Sequence, residues 1–419
     1  MMSHSSPEIV SPESVGMSSQ QLRRLDELVA RHIESNAYQG NVVLVARHGQ
    51  ICHFAAAGKA DDGVEMTTDA IFRLASMSKV PAAVAVLQLW ERGLISLADP
   101  ISAYLPEFAT PQVAVCAPDG TYELRNASRE ITIHHLLSMT AGMTNTWWDG
   151  AFTHPAYGVV PALYAEAGVR DDMNAPDLTL EENIRAVATV PLIADPGEMF
   201  DYSNSSVDTL CRLVEVVSGS NYDDYQRAHI LQPLGMDETW FFLPDEHRSR
   251  LAEVYWPGRD EKQTHNVQVG PLTLGPEGAH SPHHTYFSGA AGLHGTTHDY
   301  FKFAQMLLNK GEFGGERILS PAAVGLMTSN QIGDLDNWQL TQNKWGYMLD
   351  IQQGVNAAPG SMHYLGGPGA YSWQGYFSTK FVNNPALDTV ILTMTTPAAD
   401  GALPHNLRLI AAATAAVVD

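Results

Sequence analysis

The feature that most constrains the fold of this chain is a helix that is apolar on every side. Residues 82–90 read Ala-Ala-Val-Ala-Val-Leu-Gln-Leu-Trp and place non-polar side chains all around a helix axis. Such a helix has no face suited to water, so other elements must cover it on all sides. We predict that it begins near Ser76 and ends at Gly93, which can adopt the left-handed conformation that closes helices. Pro81 lacks an amide hydrogen, so we expect a local kink or a regular helix that begins late.

A serine and a lysine stand where this helix begins. The chain has seven lysines, and only Lys79 has a serine three residues before it, at Ser76. A helix brings side chains three residues apart onto one face, so the lysine amine can reach the serine hydroxyl. A serine hydroxyl becomes a useful nucleophile when a base takes its proton, and a desolvated lysine can be that base. The spacing alone is common by chance, and a helix cap at Ser76 with a solvated Lys79 also explains it.

Length, charge and hydropathy exclude several classes of protein. At 419 residues the chain exceeds one typical core, so we expect two lobes or one large domain with insertions. The formal net charge of -22 argues against nucleic acid and anionic membranes as partners. The longest apolar stretch, residues 409–418, is about half as long as a membrane span requires. The polar start of the chain lacks the pattern of a signal peptide.

Cysteine and histidine usage argues against disulfides and metals. Cys52, Cys116 and Cys211 are far apart and form no Cys-x-x-Cys pair, so a reducing compartment fits best. His294 and His298 have helical spacing, but the glycine and threonines between them favour a loop that leads into a helix cap. We predict a soluble, cytoplasmic protein with no metal and no cofactor.

Strand patterns at the two ends of the chain surround a helical middle. Residues 41–57 carry two runs of strand-forming residues around a His-Gly-Gln turn, which predicts a hairpin. We predict one sheet domain formed by residues 1–95 and 285–419, with residues 96–284 as an inserted, mainly helical lobe. A cleft between the two is the expected ligand site.

A second polar group, Tyr202 and Asn204, precedes a predicted helix over residues 205–218. We expect Asn204 to cap the start of this helix and Gly219 to end it. Side chains on a loop before a helix can project into a cleft. A lysine ammonium stabilises a nearby phenolate, so Tyr202 close to Lys79 can pass protons to and from the serine. Taken alone, Tyr202 is also explained as a core tyrosine.

Two tryptophans, Trp147 and Trp148, are our candidates for lining an acyl or alcohol pocket. They stand in a loop that also contains glycine and aspartate. Most other aromatic side chains are expected in the core. The Gly-x-Ser-x-Gly elbow of α/β-hydrolases does not occur in the sequence, which excludes that class.

Taken in order, the motifs resemble the serine β-lactamase and penicillin-binding protein superfamily, above all the family VIII carboxylesterases and the class C β-lactamases. The resemblance runs from about residue 16 to about residue 395 and is carried by residues 76–79, 89–100, 131–142, 202–204, 233–236 and 289–296. It implies an α+β fold of the β-lactamase/transpeptidase type, in which helices flank an antiparallel sheet beside an inserted helical lobe.

The resemblance also implies a role for each residue of the first two motifs. Ser76 corresponds to the acylated nucleophile of the family. Lys79 and Tyr202 correspond to the residues that share general base and acid duty. Asn204 corresponds to the residue that orients this lysine or the substrate carbonyl.

The third motif of β-lactamases, Lys-Thr-Gly, has no match in this chain, and Trp373, Gln374 and Gly375 stand at the equivalent place. They are similar to the Trp-x-Gly of the esterases. The resemblance implies an oxyanion hole made by the backbone amides of Ser76 and Tyr376, and two aligned donors of this kind contribute more than one side chain. The missing lysine binds the carboxylate of a β-lactam, and losing a charge-assisted bond costs about 1.5–3 kcal/mol. This loss of binding energy corresponds to about one to two orders of magnitude in affinity for a substrate that carries a carboxylate.

We therefore predict a serine carboxylesterase that acts on a small-molecule ester through an acyl-enzyme. Three alternatives stay open at this point. They are an acyltransferase on the same fold, an amide hydrolase of the β-lactamase or D-aminopeptidase type, and a non-catalytic binding protein that keeps the fold.

Overall fold

The computed structural model describes residues 7–146, 154–170, 178–255, 285–337, 343–354, 366–397 and 402–419. Its strands are, in chain order, β1 (Gly40–Arg47), β2 (Gln50–Asp61), β3 (Val64–Glu65), β4 (Ile71–Arg73), β5 (Gln112–Cys116), β6 (Tyr122–Asn126), β7 (Thr239–Trp240), β8 (His294–Thr296), β9 (Glu312–Phe313), β10 (Glu316–Arg317), β11 (Lys344–Trp345), β12 (Asp350–Ile351), β13 (Tyr371–Gln374), β14 (Lys380–Asn384) and β15 (Thr389–Thr395). Its α-helices are α1 (Ser19–Glu34), α2 (Lys79–Glu91), α3 (Ile133–Leu137), α4 (Val160–Glu166), α5 (Leu180–Val187), α6 (Asn204–Ser218), α7 (Tyr222–Gln226), α8 (Thr297–Leu308), α9 (Pro321–Met327) and α10 (Leu403–Thr414).

An antiparallel sheet of eight strands joins segments from the two ends of the sequence. The strand order is β11-β12-β13-β14-β15-β1-β2-β3, so β1 pairs with β15, and Val45 lies opposite Ile391. The β1–β2 hairpin closes through His48 and Gly49, whose φ angles of 54° and 73° suit the twist of a two-residue hairpin turn. The predicted hairpin is confirmed.

Helices cover both faces of this sheet, which explains the unbroken apolar sequence of β1. Alternate residues of a strand point to opposite faces. Val43 and Val45 belong to a core with α1 and α10, whereas Leu44 belongs to a larger core that includes α2 and α8. All eight residues of β1 are buried as a result. The predicted α+β architecture, an antiparallel sheet flanked by helices, is confirmed.

Helix α2 lies deep in the larger core, as its composition predicts. Its residues from Lys79 to Leu87 are all buried. A short 3-10 turn, Ala75–Ser78, precedes it. Pro81 therefore falls in the first turn of the regular helix, where the missing amide hydrogen breaks no bond of the helix interior. Gly93 follows the helix with a φ of 69°. The expectation of a regular helix that begins late is confirmed.

The middle of the sequence contributes helices α3 to α7, the β5–β6 hairpin, and strand β7, which joins β4 and β8 in a three-stranded sheet. The eight-stranded sheet takes its strands from residues 40–65 and 344–395. The division of the chain at residues 95 and 285 stays a prediction. Across the residues that the structure describes, no helix has the length and apolar character that a bilayer crossing demands.

Candidate active site

Ser76 lies in a sharp turn between strand β4 and helix α2. The residue before it, Ala75, has a left-handed φ of 45°, which costs a non-glycine residue about 1 kcal/mol or more. Ala75 packs in a small cluster with Ala291 and Phe377, which holds the turn in this conformation. The turn leaves Ser76 half-buried and brings its hydroxyl to 3.1 Å from the Nζ of Lys79. The two side chains therefore meet, as their spacing predicts.

Lys79 is fully buried, and its ammonium is surrounded by hydrogen-bond acceptors. Besides Ser76, its Nζ donates to the Oδ1 of Asn204 over 2.7 Å and to the carbonyl oxygen of Ala290 over 2.6 Å. It also lies 4.8 Å from the centre of the Tyr202 ring. An ammonium has three protons to donate, and a buried charge is costly unless such partners are present. The amine is thus held in one place beside the serine hydroxyl.

The start of helix α6 corrects one prediction. The cap is Ser203, whose hydroxyl accepts from the amide of Ser206, and Asn204 is the first residue of the helix. The Oδ1 of Asn204 instead accepts from the Nζ of Lys79. The predicted end at Gly219 is confirmed, since that residue is left-handed with a φ of 75°.

Asn145 holds the backbone of the second motif, a role that the sequence did not reveal. Its Nδ2 donates to the carbonyl oxygen of Tyr202 over 2.6 Å, and its Oδ1 accepts from the amide of Asn204 over 2.8 Å. Asn145 is fully buried. One side chain therefore fixes the two residues of the motif relative to each other.

Four aromatic rings, Phe200, Tyr202, Trp345 and Trp373, form a cluster that we call the aromatic wall. The Nε1 of Trp373 lies 3.2 Å from the Tyr202 hydroxyl and donates to it. The Trp345 ring meets the Trp373 ring edge-on with 4.5 Å between centres, and Phe200 packs against Trp345 at 5.4 Å. Among the described residues the buried Nε1 of Trp345 has no acceptor. The wall therefore combines one hydrogen-bonded indole with one that contributes packing only.

The end of strand β13 lies against the turn before helix α2. A Cβ on Gly375 would collide with the carbonyl oxygen of Leu74 and with the hydroxyl of Thr379. Thr379 also donates to the Leu74 oxygen over 3.4 Å. The next residue, Tyr376, packs against the cluster that contains Ala75. This close approach is compatible with the predicted oxyanion hole, and the part played by the two amides stays a prediction.

The other candidate residues are two tryptophans and two histidines. Trp147 and Trp148 lie outside the described residues. His294 stands in strand β8, and Thr296 caps helix α8 by accepting from the amide of Asp299, so the predicted cap is confirmed and the predicted loop is a strand. In the described part of the chain no group of three or more histidines, cysteines or carboxylates is arranged to hold a metal ion.

Comparison with known proteins identifies the family. A family model described as Beta-lactamase matches residues 25–415. The chain belongs to the beta-lactamase family. This finding confirms the resemblance carried by the motifs and covers nearly the whole sequence.

Relatives of this beta-lactamase-family chain include esterases and a penicillin-binding protein. Esterase EstB from Burkholderia gladioli is 30% identical over 90% of this chain and 91% of its own. The solved structure of EstCE1, described as a hydrolase with promiscuous acyltransferase activity, has a TM-score of 0.76 at 27% identity and covers 94% of this chain and 98% of its own. Penicillin-binding protein 4 from Amycolatopsis lactamdurans is 28% identical over 74% of this chain and 70% of its own.

The geometry of this beta-lactamase-family site suits acyl transfer. A serine hydroxyl within hydrogen-bond distance of a buried amine can lose its proton as it attacks a carbonyl. The phenol ring of Tyr202 lies close to the same amine, so a second proton-transfer group is at hand. Homology to esterases agrees with the hydrolase class that the sequence predicts.

Proposed function

We propose that this protein is a carboxylesterase that hydrolyses small-molecule esters through an acyl-enzyme at Ser76. The observation that carries the proposal is the hydrogen bond between Lys79 and Ser76, made by an amine that Asn204 and Ala290 also hold. Homology to Esterase EstB over nine tenths of both chains supports the ester as substrate. The proposal places the protein among the family VIII carboxylesterases.

The proposed acylation step begins with attack of the Ser76 oxygen on the ester carbonyl. The hydroxyl proton passes to Tyr202 as the phenolate or to Lys79 as the neutral amine, and the carbonyl oxygen becomes an anion that accepts from the amides of Ser76 and Tyr376. Collapse of this intermediate breaks the bond to the alcohol oxygen, which leaves with the transferred proton. The acyl group is then bonded to Ser76.

The proposed deacylation step reverses these roles with water as the nucleophile. The same base, Tyr202 or Lys79, takes one proton from the water as it attacks the acyl carbonyl. The Ser76 oxygen leaves, recovers its proton, and the carboxylic acid departs. The hydrogen bond from Trp373 to the Tyr202 oxygen supports this role, because it stabilises that oxygen when it carries negative charge.

The surroundings of Trp373 favour a neutral ester over a substrate that carries a carboxylate. A β-lactamase has a lysine at this place in its third motif, whereas here the indole is engaged with Tyr202. On the neighbouring strand β14, Lys380 lies opposite Gln374, and its Nζ donates a hydrogen bond to the Oε1 of Gln374 over 3.1 Å. Neighbouring residues of a strand point to opposite faces, so Lys380 and Trp373 leave the sheet on different sides.

Acyl transfer to an alcohol is the second candidate function. EstCE1, which is 27% identical, is described as a hydrolase with promiscuous acyltransferase activity. The two reactions share every step up to the acyl-enzyme and differ in whether water or an alcohol attacks it. Formation of a new ester when an alcohol is added to the assay would favour the transferase.

The deciding experiment compares turnover of p-nitrophenyl butyrate with that of a chromogenic cephalosporin. We expect ester turnover that disappears in Ser76→Ala, together with little opening of the lactam. Ser138→Ala is the matched control, since Ser138 is buried and its hydroxyl bonds to the carbonyl of His134. Ester turnover that survives in Ser76→Ala would exclude the proposal, and dominant lactam opening would move the protein to the β-lactamase alternative.

We also propose a cytoplasmic location. Cys52, Cys116 and Cys211 are free thiols, and two of them are buried, which suits a reducing compartment. Fractionation of the producing cells with antibody detection tests the proposal, and recovery outside the cytoplasmic fraction would contradict it.

A further inference from the structure

A buried carboxylate lies one helical turn after Asn204. Asp208 belongs to helix α6 and is 1% exposed. Its Oδ2 accepts from the hydroxyl of Tyr286 over 2.7 Å, and the hydroxyl of Ser288 lies 3.0 Å from each carboxylate oxygen. Its Oδ1 accepts from the amide of Ala290 over 3.1 Å. These contacts all come from one short segment, residues 286–290, so the carboxylate ties this segment to helix α6.

The same segment holds the lysine of the active site. The amide of Ala290 donates to Asp208, and the carbonyl oxygen of Ala290 accepts from Lys79 over 2.6 Å. The segment also packs tightly against α6, since a Cβ on Gly289 would collide with the sulfur of Cys211. A single residue therefore links the buried carboxylate to the buried ammonium.

The charges of the two groups are complementary. Burial raises the pKa of Asp208 to about 6, while the hydrogen bonds from Tyr286, Ala290 and Ser288 and the Lys79 charge oppose that rise. The carboxylate is thus ionised above that pH. Burial also raises the pKa of two titratable neighbours, Cys211 and Tyr222, well above their usual values, so those two stay neutral.

We propose that Asp208 is a positioning residue of the active site: it holds the Ala290 carbonyl against Lys79 and supplies negative charge that stabilises the buried ammonium. The inference rests on the proposed function of Ser76 and Lys79. A buried ammonium is costly without nearby negative charge, and an error of about 1 Å in the position of a catalytic group costs up to about 100-fold in rate.

The test is Asp208→Asn, which keeps the shape of the side chain and removes its charge. We expect kcat/KM for p-nitrophenyl butyrate, and the rate of Ser76 labelling by a fluorophosphonate, to fall about 10- to 100-fold. The pH–rate profile should move to lower pH, because the ammonium form of Lys79 loses its counter-charge. A purely structural role would lower stability and leave the profile in place.

The matched control is Asp299→Asn. Asp299 is also a buried carboxylate, and it accepts from the amide of Glu238, the hydroxyl of Thr239 and the ammonium of Lys302. That variant should lose stability with no movement of the profile. If Asp208→Asn does not fold, Ser288→Ala replaces it, since removing one donor reduces the ionised fraction of the carboxylate and should move the profile in the same direction to a smaller degree.

The outcomes separate the two proposals. A normal wild-type reaction at Ser76 with an unmoved profile in Asp208→Asn, or in Ser288→Ala where that variant is needed, would overturn the role of Asp208 and leave the esterase proposal intact. A wild-type protein that neither turns over the ester nor reacts at Ser76 would overturn both.

Discussion

The indole nitrogen of Trp373 donates a hydrogen bond to the hydroxyl oxygen of Tyr202 over 3.2 Å. The bond joins strand β13 to the loop before helix α6, two segments 171 residues apart in sequence. A lysine at the place of Trp373 would offer a charge to an anionic substrate. The indole instead directs its only donor at a neighbouring side chain of the protein, so the residue that marks the departure from β-lactamases also supports the tyrosine.

Trp373→Phe should lower kcat without a matching change in KM. The variant keeps an aromatic ring and removes the donor to Tyr202, a bond worth about 0.5–1.5 kcal/mol, or about 2- to 12-fold in rate. Trp345→Phe is the control, because its Nε1 has no acceptor among the described residues. Steady-state kinetics of both variants checks the prediction, and equal losses of kcat would contradict it.

Asn145→Ala should reduce both stability and activity. The change removes the bonds to Tyr202 and Asn204 and leaves a buried amide and carbonyl to find new partners, a cost of about 2–3 kcal/mol. We expect kcat/KM to fall about 10-fold or more, because the second motif loses its support. Asn383→Ala is the control: Asn383 is buried and bonds to Ala304 and Tyr371, so stability alone should fall. Urea unfolding measures the stability of the two variants and steady-state kinetics measures their activity. Equal losses of kcat/KM in both variants would contradict the prediction.

Gly375→Ala should damage the site although it adds one methyl group. The new Cβ would collide with Leu74 and Thr379, so strand β13 must move away from the turn that carries Ser76. We expect a loss of about 100-fold in kcat/KM if the neighbouring amide forms the oxyanion hole. Gly325→Ala in helix α9 has open space around the new methyl and should stabilise the protein by about 0.5–1 kcal/mol. Unchanged kinetics in Gly375→Ala would exclude Tyr376 as an oxyanion donor.

Acid should destabilise the fold through His32. Burial lowers the pKa of His32 to about 4, and the charges of His405 and Arg408 add to the effect. The unfolded chain, with a histidine pKa of 6.5, binds the proton more tightly. The stability contributed by this residue is therefore complete above pH 6.5 and is lost as the pH falls toward about 4. Chemical unfolding across this range measures the slope.

Replacement of the same residue checks the cause of that slope. His32→Phe should remove most of the pH dependence of the unfolding free energy between these two limits. His48→Asn is the control, because His48 is half exposed in the hairpin turn next to Asp388. An unchanged slope in His32→Phe would assign the acid sensitivity to other groups.

Local spacing made the first motif predictable. Ser76 and Lys79 are three residues apart, with Ser76 in the 3-10 turn that leads into helix α2, so local backbone geometry brings their side chains together. The β1–β2 hairpin is equally local. The burial of helix α2 followed from its own composition, and no knowledge of its neighbours was needed.

Long-range partners explain what the sequence did not reveal. Asparagine is a residue type that often caps helices, but the side chain of Asn204 accepts a hydrogen bond from Lys79, 125 residues away. Ser203 caps the helix in its place. Asn145 lies in a loop with no periodic pattern, and its partners are 57 and 59 residues further along. Asp208 left no comparable signal, because its neighbours on the helix face, Asn204, Arg212 and Glu215, are polar or charged as well. Its partners come from a segment about 80 residues distant.

The pairing of β1 with β15 has a consequence for how the protein is made. The two strands are neighbours in the finished sheet, with Val45 opposite Ile391, but a ribosome that adds roughly 5–20 residues per second completes them about 20–70 s apart. During that interval the β1–β2 hairpin has an open edge of apolar residues and no partner strand. Nascent chains should therefore depend on chaperones that shield strand edges. Premature termination of translation before β15 is made would leave β1 without its partner strand.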